Sequence, residues 1–171
     1  MDSPMVILRV LHIVGGVFWV GSVLVTVLFL FKVVGDMGPS GGQFMAALVK
    51  RHYLDAVPAS ALIAVLSGVE LLRRSSGGFD AAWMGSATGI TISIGALAAI
   101  LGLVLGLFVG RSSTLKAVAL MGRAMQLPDG QEKATLVGQA APLRARGMSA
   151  LRVTAVLLVI ATVCMSAARY V

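Results

Sequence analysis

The stretch RVLHIVGGVFWVG, Arg9 to Gly21, places an imidazole, two glycines and an indole at helical spacing inside an otherwise apolar run. Residues three, four and seven apart share a helix face. Met5, Arg9, His12, Gly15, Gly16 and Trp19 therefore form one stripe. That order suits a flat porphyrin, with His12 as axial ligand, Gly15 and Gly16 leaving room beside it, Trp19 packing on the ring, and Arg9 meeting a propionate one turn outward. It also suits plain helix packing, in which His12 hydrogen-bonds a neighbouring helix, the glycines permit close approach and Trp19 fills space. Ionisable groups within a membrane are expensive and tend to be functional, which keeps the ligand reading open beside the packing one.

A second axial ligand has to lie at similar depth on another helix. Met165, beside Cys164, stands a few residues before the end of the last apolar run, with Arg169 one turn further on, mirroring His12 and Arg9. His/Met ligation of a haem by His12 and Met165 is a sensible electron-transfer arrangement. The alternative metal is copper, since thioethers suit Cu(I), with Met5 and Met84 as further donors. His52, beside Lys50, Arg51 and Tyr53, falls at the opposite interface and reads as an anchor. Glu70 has three readings: snorkelling, pairing with Arg73 or Arg74, or a proton or metal site facing His12.

The elements that must position these residues are membrane helices. The chain has 171 residues, 58% hydrophobic and 12% charged, with a mean hydropathy of +0.95, outside the range of soluble domains. The fold class expected is all-α: a four-helix transmembrane bundle in a single domain, residues 1–171, with spans over about 5–34, 55–73, 81–110 and 148–169. The first span is too long, and its flanks are wrong, for a cleaved secretory signal. One cysteine, Cys164, excludes an intrachain disulfide or a CxxC metal site. Ten lysines and arginines fall on the side of the two longer connections and four on the other. That bias puts both termini outside and the longer connections in the cytoplasm of a bacterial inner (cytoplasmic) membrane. A net charge of +7 then needs no nucleic-acid partner, because basic residues beside anionic headgroups account for it.

Between the spans, GDMGPSGGQ stops the first helix, and Ser40 with Gln43 makes an S-x-x-Q capping box for an amphipathic helix over 43–54. Pro58 permits a bend near the start of span two. Residues 111–147 are expected as a cytoplasmic helical hairpin turning at LPDG, with Asp129 and Glu132 starting its second arm and Pro142 and Gly147 marking a joint. Span three carries Gly85, Gly89, Gly102, Gly106 and Gly110, a small-residue ladder for packing within the chain or for a homodimer.

The motif HIVGGVFW resembles the first helix of HemJ-type membrane proteins, linked to protoporphyrinogen oxidation, and of CopD-like copper-resistance membrane proteins. KRHYLDAVPAS is similar to the start of the second HemJ-type helix. GRSSTLKAVALMGRAMQLPDG and SALRVTAVLLVIATVCMSAARYV look most like an uncharacterised bacterial four-helix integral membrane family distantly akin to both. The resemblance implies that His12 serves haem and that Trp19, Tyr53 and Pro58 are structural. HemJ-type proteins also carry a functional lysine in the third helix, and this chain has none between Trp83 and Val109. That departure weighs against protoporphyrinogen oxidation and leaves haem binding open. The expected function is a b-type haem protein of electron transfer, haem handling or redox sensing, with a redox partner and haem b near the outer face. Copper handling and a non-catalytic, partner-binding subunit are the alternatives. GxSxG, P-loop and HExxH signatures are absent.

Overall fold

The computed structural model describes residues 3–171, all helices and short turns, with no strand among them. Four helices are long and apolar enough to cross a membrane: α1 over Ser3–Asp36, α3 over Tyr53–Ser75, α4 over Ala87–Ala124 and α5 over Gln131–Tyr170. The shorter α2, Pro39–Lys50, links the first two. Helices satisfy every backbone group internally, as hydrocarbon requires. The outward faces are apolar, with Val17, Phe29, Leu66, Phe108 and Val163 exposed, as suits a multi-pass protein surrounded by lipid.

The bundle is two tight pairs set loosely against each other, α1 with α3 and α4 with α5. In the first pair, a Cβ on Gly15 would stand 3.0 Å from the Ser60 carbonyl, so only glycine lets α1 approach α3 this closely. In the second, Gly95, Gly102, Gly106 and Gly110 all face α5, meeting Cys164, Leu158, Thr154 and Leu151 in turn. Gly102, Gly106 and Gly110 of the span-three ladder are thus used against α5, whereas Gly85 and Gly89 sit against the Ala81–Met84 turn. Thr154, fully buried, donates to the Gly102 carbonyl across the seam. Trp19, Val23, Ala61, Ala64, Ala155 and Leu158 close the core in mid-bundle.

α4 and α5 exceed what a membrane needs. A 38-residue helix is about 57 Å long at 1.5 Å per residue, against roughly 30 Å of hydrocarbon. The excess lies at the end opposite Ser3 and Val171, where α4 and α5 run side by side to the turn at 125–130. We call these the hairpin end and the terminal end.

Several local expectations are corrected. The helix after the first connection begins at Pro39, with Gly38 (φ 54°) as its N-cap and no side-chain cap, because Gly takes the left-handed turn and Pro is preset for a first helical position. The Ser40–Gln43 box is therefore unused. The third span has a false start, one turn over Ala81–Met84 capped by Asp80, and begins properly at Ala87 with the Ser86 hydroxyl accepting from the Gly89 amide. α5 passes unbroken through Pro142 and Gly147. Packing against α4 supports it there, and Gly147 serves the contact with Thr114 rather than a joint. Gly130 is the N-cap of α5, and Asp129 pairs with Lys133 instead of capping.

Two wide turns of π-helix interrupt the spans, Thr26–Leu30 in α1 and Leu105–Arg111 in α4. Beside the first, the Tyr53 hydroxyl lies 2.7 Å from Thr26 Oγ1 and donates to the Ser22 carbonyl. At the end of the second, Arg111 donates to the Leu54 carbonyl and pairs with Asp55. These contacts tie α1 and α4 to the start of α3.

Candidate functional site: a cavity between the helix pairs

The loose contact between the pairs opens a cavity of about 690 Å³ toward the terminal end, walled by all four long helices. α1 contributes His12, Gly16 and Trp19, α3 contributes Gly68, α4 contributes Ala96 and Ala99, and α5 contributes Leu158 and Met165. The volume falls inside the roughly 300–1,000 Å³ range of small-molecule and cofactor sites. Polarity is graded along it. His12, Ser75, Thr162 and Ser166 stand toward the terminal end, whereas Trp19, Leu24, Ile100 and Leu158 line the deep end.

His12 is held from two sides. Its Nδ1 is 2.7 Å from the Ala64 carbonyl oxygen, an acceptor only, so Nδ1 carries the proton and donates. That sets the tautomer and leaves Nε2 as the acceptor nitrogen. No described residue hydrogen-bonds Nε2, and His12 lines the cavity. Behind the ring is Gly68, where a Cβ would come within 2.7 Å of Cε1 and 2.9 Å of Nδ1. Gly68 therefore makes the seat for the imidazole. Donation of one ring N–H to a backbone carbonyl is the arrangement that metal-ligating histidines commonly show at their other nitrogen, and His12 has it.

The other residues singled out in the sequence divide. Gly16, Trp19 and Met165 share the cavity with His12. Trp19 also walls a smaller cavity of about 60 Å³ toward the hairpin end, with Tyr53, Thr154 and Arg111. Gly15 lies outside the cavity lining, buried against α3, and its contribution is to bring His12 within reach of Ala64. Arg9 is exposed and does not line the cavity, and Arg169 stacks over Tyr170 at 5.1 Å. Met5, Met84 and Cys164 are also off the lining.

Glu70 is off the cavity lining and is clamped by Arg73 through two bonds of 2.7 Å and by Arg74 at 2.6 Å. His52 is exposed at the hairpin end, in a left-handed conformation at the N-cap of α3 and 3.3 Å from Asp55. From there to Ala64 is about 18 Å along the helix, so the two histidines serve different ends of the bundle.

Compared with known proteins, the chain matches no family model, no curated protein and no solved structure. The residues missed in the sequence are Ala64 and Gly68. Their signal was present as a small-x-x-x-small pair in ALIAVLSGVE, four apart and so on one face of span two.

Proposed function

We propose that the protein is a membrane-embedded b-type haem protein, working in electron transfer, haem handling or redox sensing, with His12 as axial ligand through Nε2. The observation that carries this reading is the His12 ring itself: Nδ1–H is spent on the Ala64 carbonyl, Gly68 backs the ring, and Nε2 is left to a cavity of cofactor size. Met165, on the same lining, is the second ligand. His/Met ligation raises a haem's potential and suits electron transfer to a redox partner. The graded lining supports the same reading, with an apolar deep end for a macrocycle and a polar mouth for propionates. Arg9 and Arg169 stand one turn outward of the two proposed ligands but off the cavity lining, so a role with propionates would require both side chains to turn toward the mouth.

In this reading both termini and the cavity mouth face outward across a bacterial inner membrane. The hairpin of α4 and α5 is cytoplasmic, on the basic side, by the ten-to-four distribution of lysine and arginine. The glycine ladder being used internally, a homodimer would have to form on another face.

The test is a visible spectrum of detergent-purified protein, oxidised and then reduced, with metal analysis of the same sample. A Soret band with sharpened α and β bands on reduction is expected. Its loss or strong shift in His12→Ala is required, and an unchanged spectrum sinks the assignment. Met165→Ala tests the second ligand the same way. Copper without a Soret band would move the assignment to Cu(I) handling by His12 and Met165, the two donors of that set that share the cavity.

A further inference from the structure

The cavity's walls are unequal. On α1, His12 and Gly16 face inward while Ile13, Val17 and Gly21 continue the lining toward α5, and Thr162 and Ser166 continue it from α5 toward α1. These rim residues are also exposed, Ile13 at 60% and Val17 at 69%, with Thr162 and Ser166 open too. Nothing stands within 4 Å of a Cβ built on Gly16 or Gly21. Across the cavity, the rim between α3 and α4 is more closed, with Val69 at 42% and Ile100 at 38%. A gap therefore opens the cavity on the side of α1 and α5, where Ile13, Val17, Thr162 and Ser166 both line it and are exposed. It lies at the depth of the apolar spans and faces sideways.

We propose that this gap is a lateral portal through which a chain-bearing, membrane-dissolved molecule enters the cavity directly from the bilayer. The ligand chemistry is a flexible hydrocarbon chain under a small polar head. The chain lies against Trp19, Leu24 and Ile100, and the head sits near His12, Thr162 and Ser166. An acyl chain of a lipid and the isoprenoid chain of a quinone share that chemistry. A rim of Ile, Val and Gly repels neither and has no fixed charge that would select a ligand from water. The proposal rests on the shape and lining of the cavity and not on the haem reading; because both ligands would use the same deep wall, it applies to protein whose cavity is free of haem, which the absorption spectrum of the reconstituted sample shows.

Trp19 is the natural reporter, because it is 5% exposed and lines the cavity at its deep end. The full chain carrying Trp83→Phe, which leaves Trp19 as the single tryptophan, is reconstituted in vesicles of phosphatidylcholine with plain or brominated acyl chains. Bromine quenches on contact, and the brominated-to-plain emission ratio cancels quenching by any bound chromophore. A marked loss of Trp19 emission in brominated lipid is expected. It should be relieved by Gly16→Leu or Gly21→Leu, which fill the gap where a Cβ meets nothing. An unchanged emission maximum in plain lipid verifies that each variant keeps its core.

Adding an isoprenoid benzoquinone to plain vesicles separates the sources. Saturable quenching that the same variants abolish assigns the portal to a quinone, whereas quenching by brominated lipid alone assigns it to acyl chains. Trp19 emission indifferent to both probes, or quenched equally with either blocking residue in place, overturns the portal. The haem reading stands or falls separately, on the absorption spectrum.

Discussion

Gly68→Ala is the substitution that tests the His12 seat most directly. In a helix, alanine is ordinarily better than glycine by about 0.5–1 kcal/mol. Here the new Cβ would stand 2.7 Å from His12 Cε1 and 2.9 Å from Nδ1, whereas carbon atoms rest at about 3.5–4.0 Å. The ring must therefore retreat by close to 1 Å, and its 2.7 Å bond to Ala64 cannot survive that movement. Losing that bond costs on the order of 1 kcal/mol, and overpacking falls in the range of about 1–3 kcal/mol. The net effect in the parent is a destabilisation of roughly 1–3 kcal/mol. With His12→Ala already present the clash disappears, so Gly68→Ala should become neutral or mildly stabilising. The two substitutions are thus coupled by roughly 1–4 kcal/mol.

Equilibrium unfolding in mixed micelles of increasing sodium dodecyl sulfate, run on the four corners of this cycle, measures the coupling. The same variants report on function, since under the haem reading Gly68→Ala should also shift the Soret band or midpoint potential. An equal cost for Gly68→Ala in both backgrounds would refute the reasoning, because it would mean that Gly68 is not shaped by the imidazole.

Trp19→Ala removes the wall shared by the two cavities and should cost about 3–5 kcal/mol in the same unfolding assay. Gly95→Ala puts a Cβ 3.0 Å from Cys164 Cβ and 3.3 Å from the Ala161 carbonyl; that backbone cannot yield, so a loss of about 1–3 kcal/mol is expected. Gly138→Ala, which meets nothing within 4 Å, should instead raise the midpoint by up to about 1 kcal/mol. In the turn of the hairpin, the Lys133 ammonium holds the Asp129 carboxyl below its ordinary value. A depressed carboxyl stabilises above its unfolded value, near 4, and the contribution fades as pH falls through the lowered folded one. Amide protection factors over 125–133, with the intrinsic pH dependence of exchange divided out, should therefore fall at acid pH in the parent, and Asp129→Asn should remove that fall.

The four spans were legible because hydrocarbon enforces a length and a composition, and both are one-dimensional properties of the chain. The stripe holding His12, Gly16 and Trp19 was legible for a related reason, as helical periodicity places residues on one face before any partner is known. What stayed hidden depends on which helix lies opposite. Gly15 and Gly16 are adjacent and chemically identical, yet one packs on the Ser60 carbonyl and the other borders open space. Their roles are decided by the roughly 100° of rotation between neighbouring positions on α1. Pro142 and Gly147 carry the usual marks of a break, but α5 runs through both because α4 packs along that segment. Tertiary packing overrides local propensity there.

The cavity follows from how apolar helices associate. Lipid tails are as apolar as leucine, so helices are held by close packing rather than by exclusion from water, and small residues mark where they close. In this chain the small residues are spent on two seams: Gly15 against Ser60 and Ala64 in one pair, and Gly95 through Gly110 against α5 in the other. Between the pairs stand larger groups, Trp19 and Leu158, both buried in mid-bundle. They act as a wedge that sets the spacing at that level. On the hairpin side of the wedge, Arg111 of α4 ties the second pair to Leu54 and Asp55 of α3, Tyr53 ties α3 to α1 within the first, and only about 60 Å³ is left. On the terminal side, side chains that could fill the same separation are replaced by Gly16, Gly68 and Ala96, and about 690 Å³ stays open. The histidine sits at that level, with one nitrogen committed to the neighbouring backbone and one not. The wedge, the small residues beyond it and an imidazole with one nitrogen uncommitted are thus one structural feature, and the proposed ligand readings all rest on it.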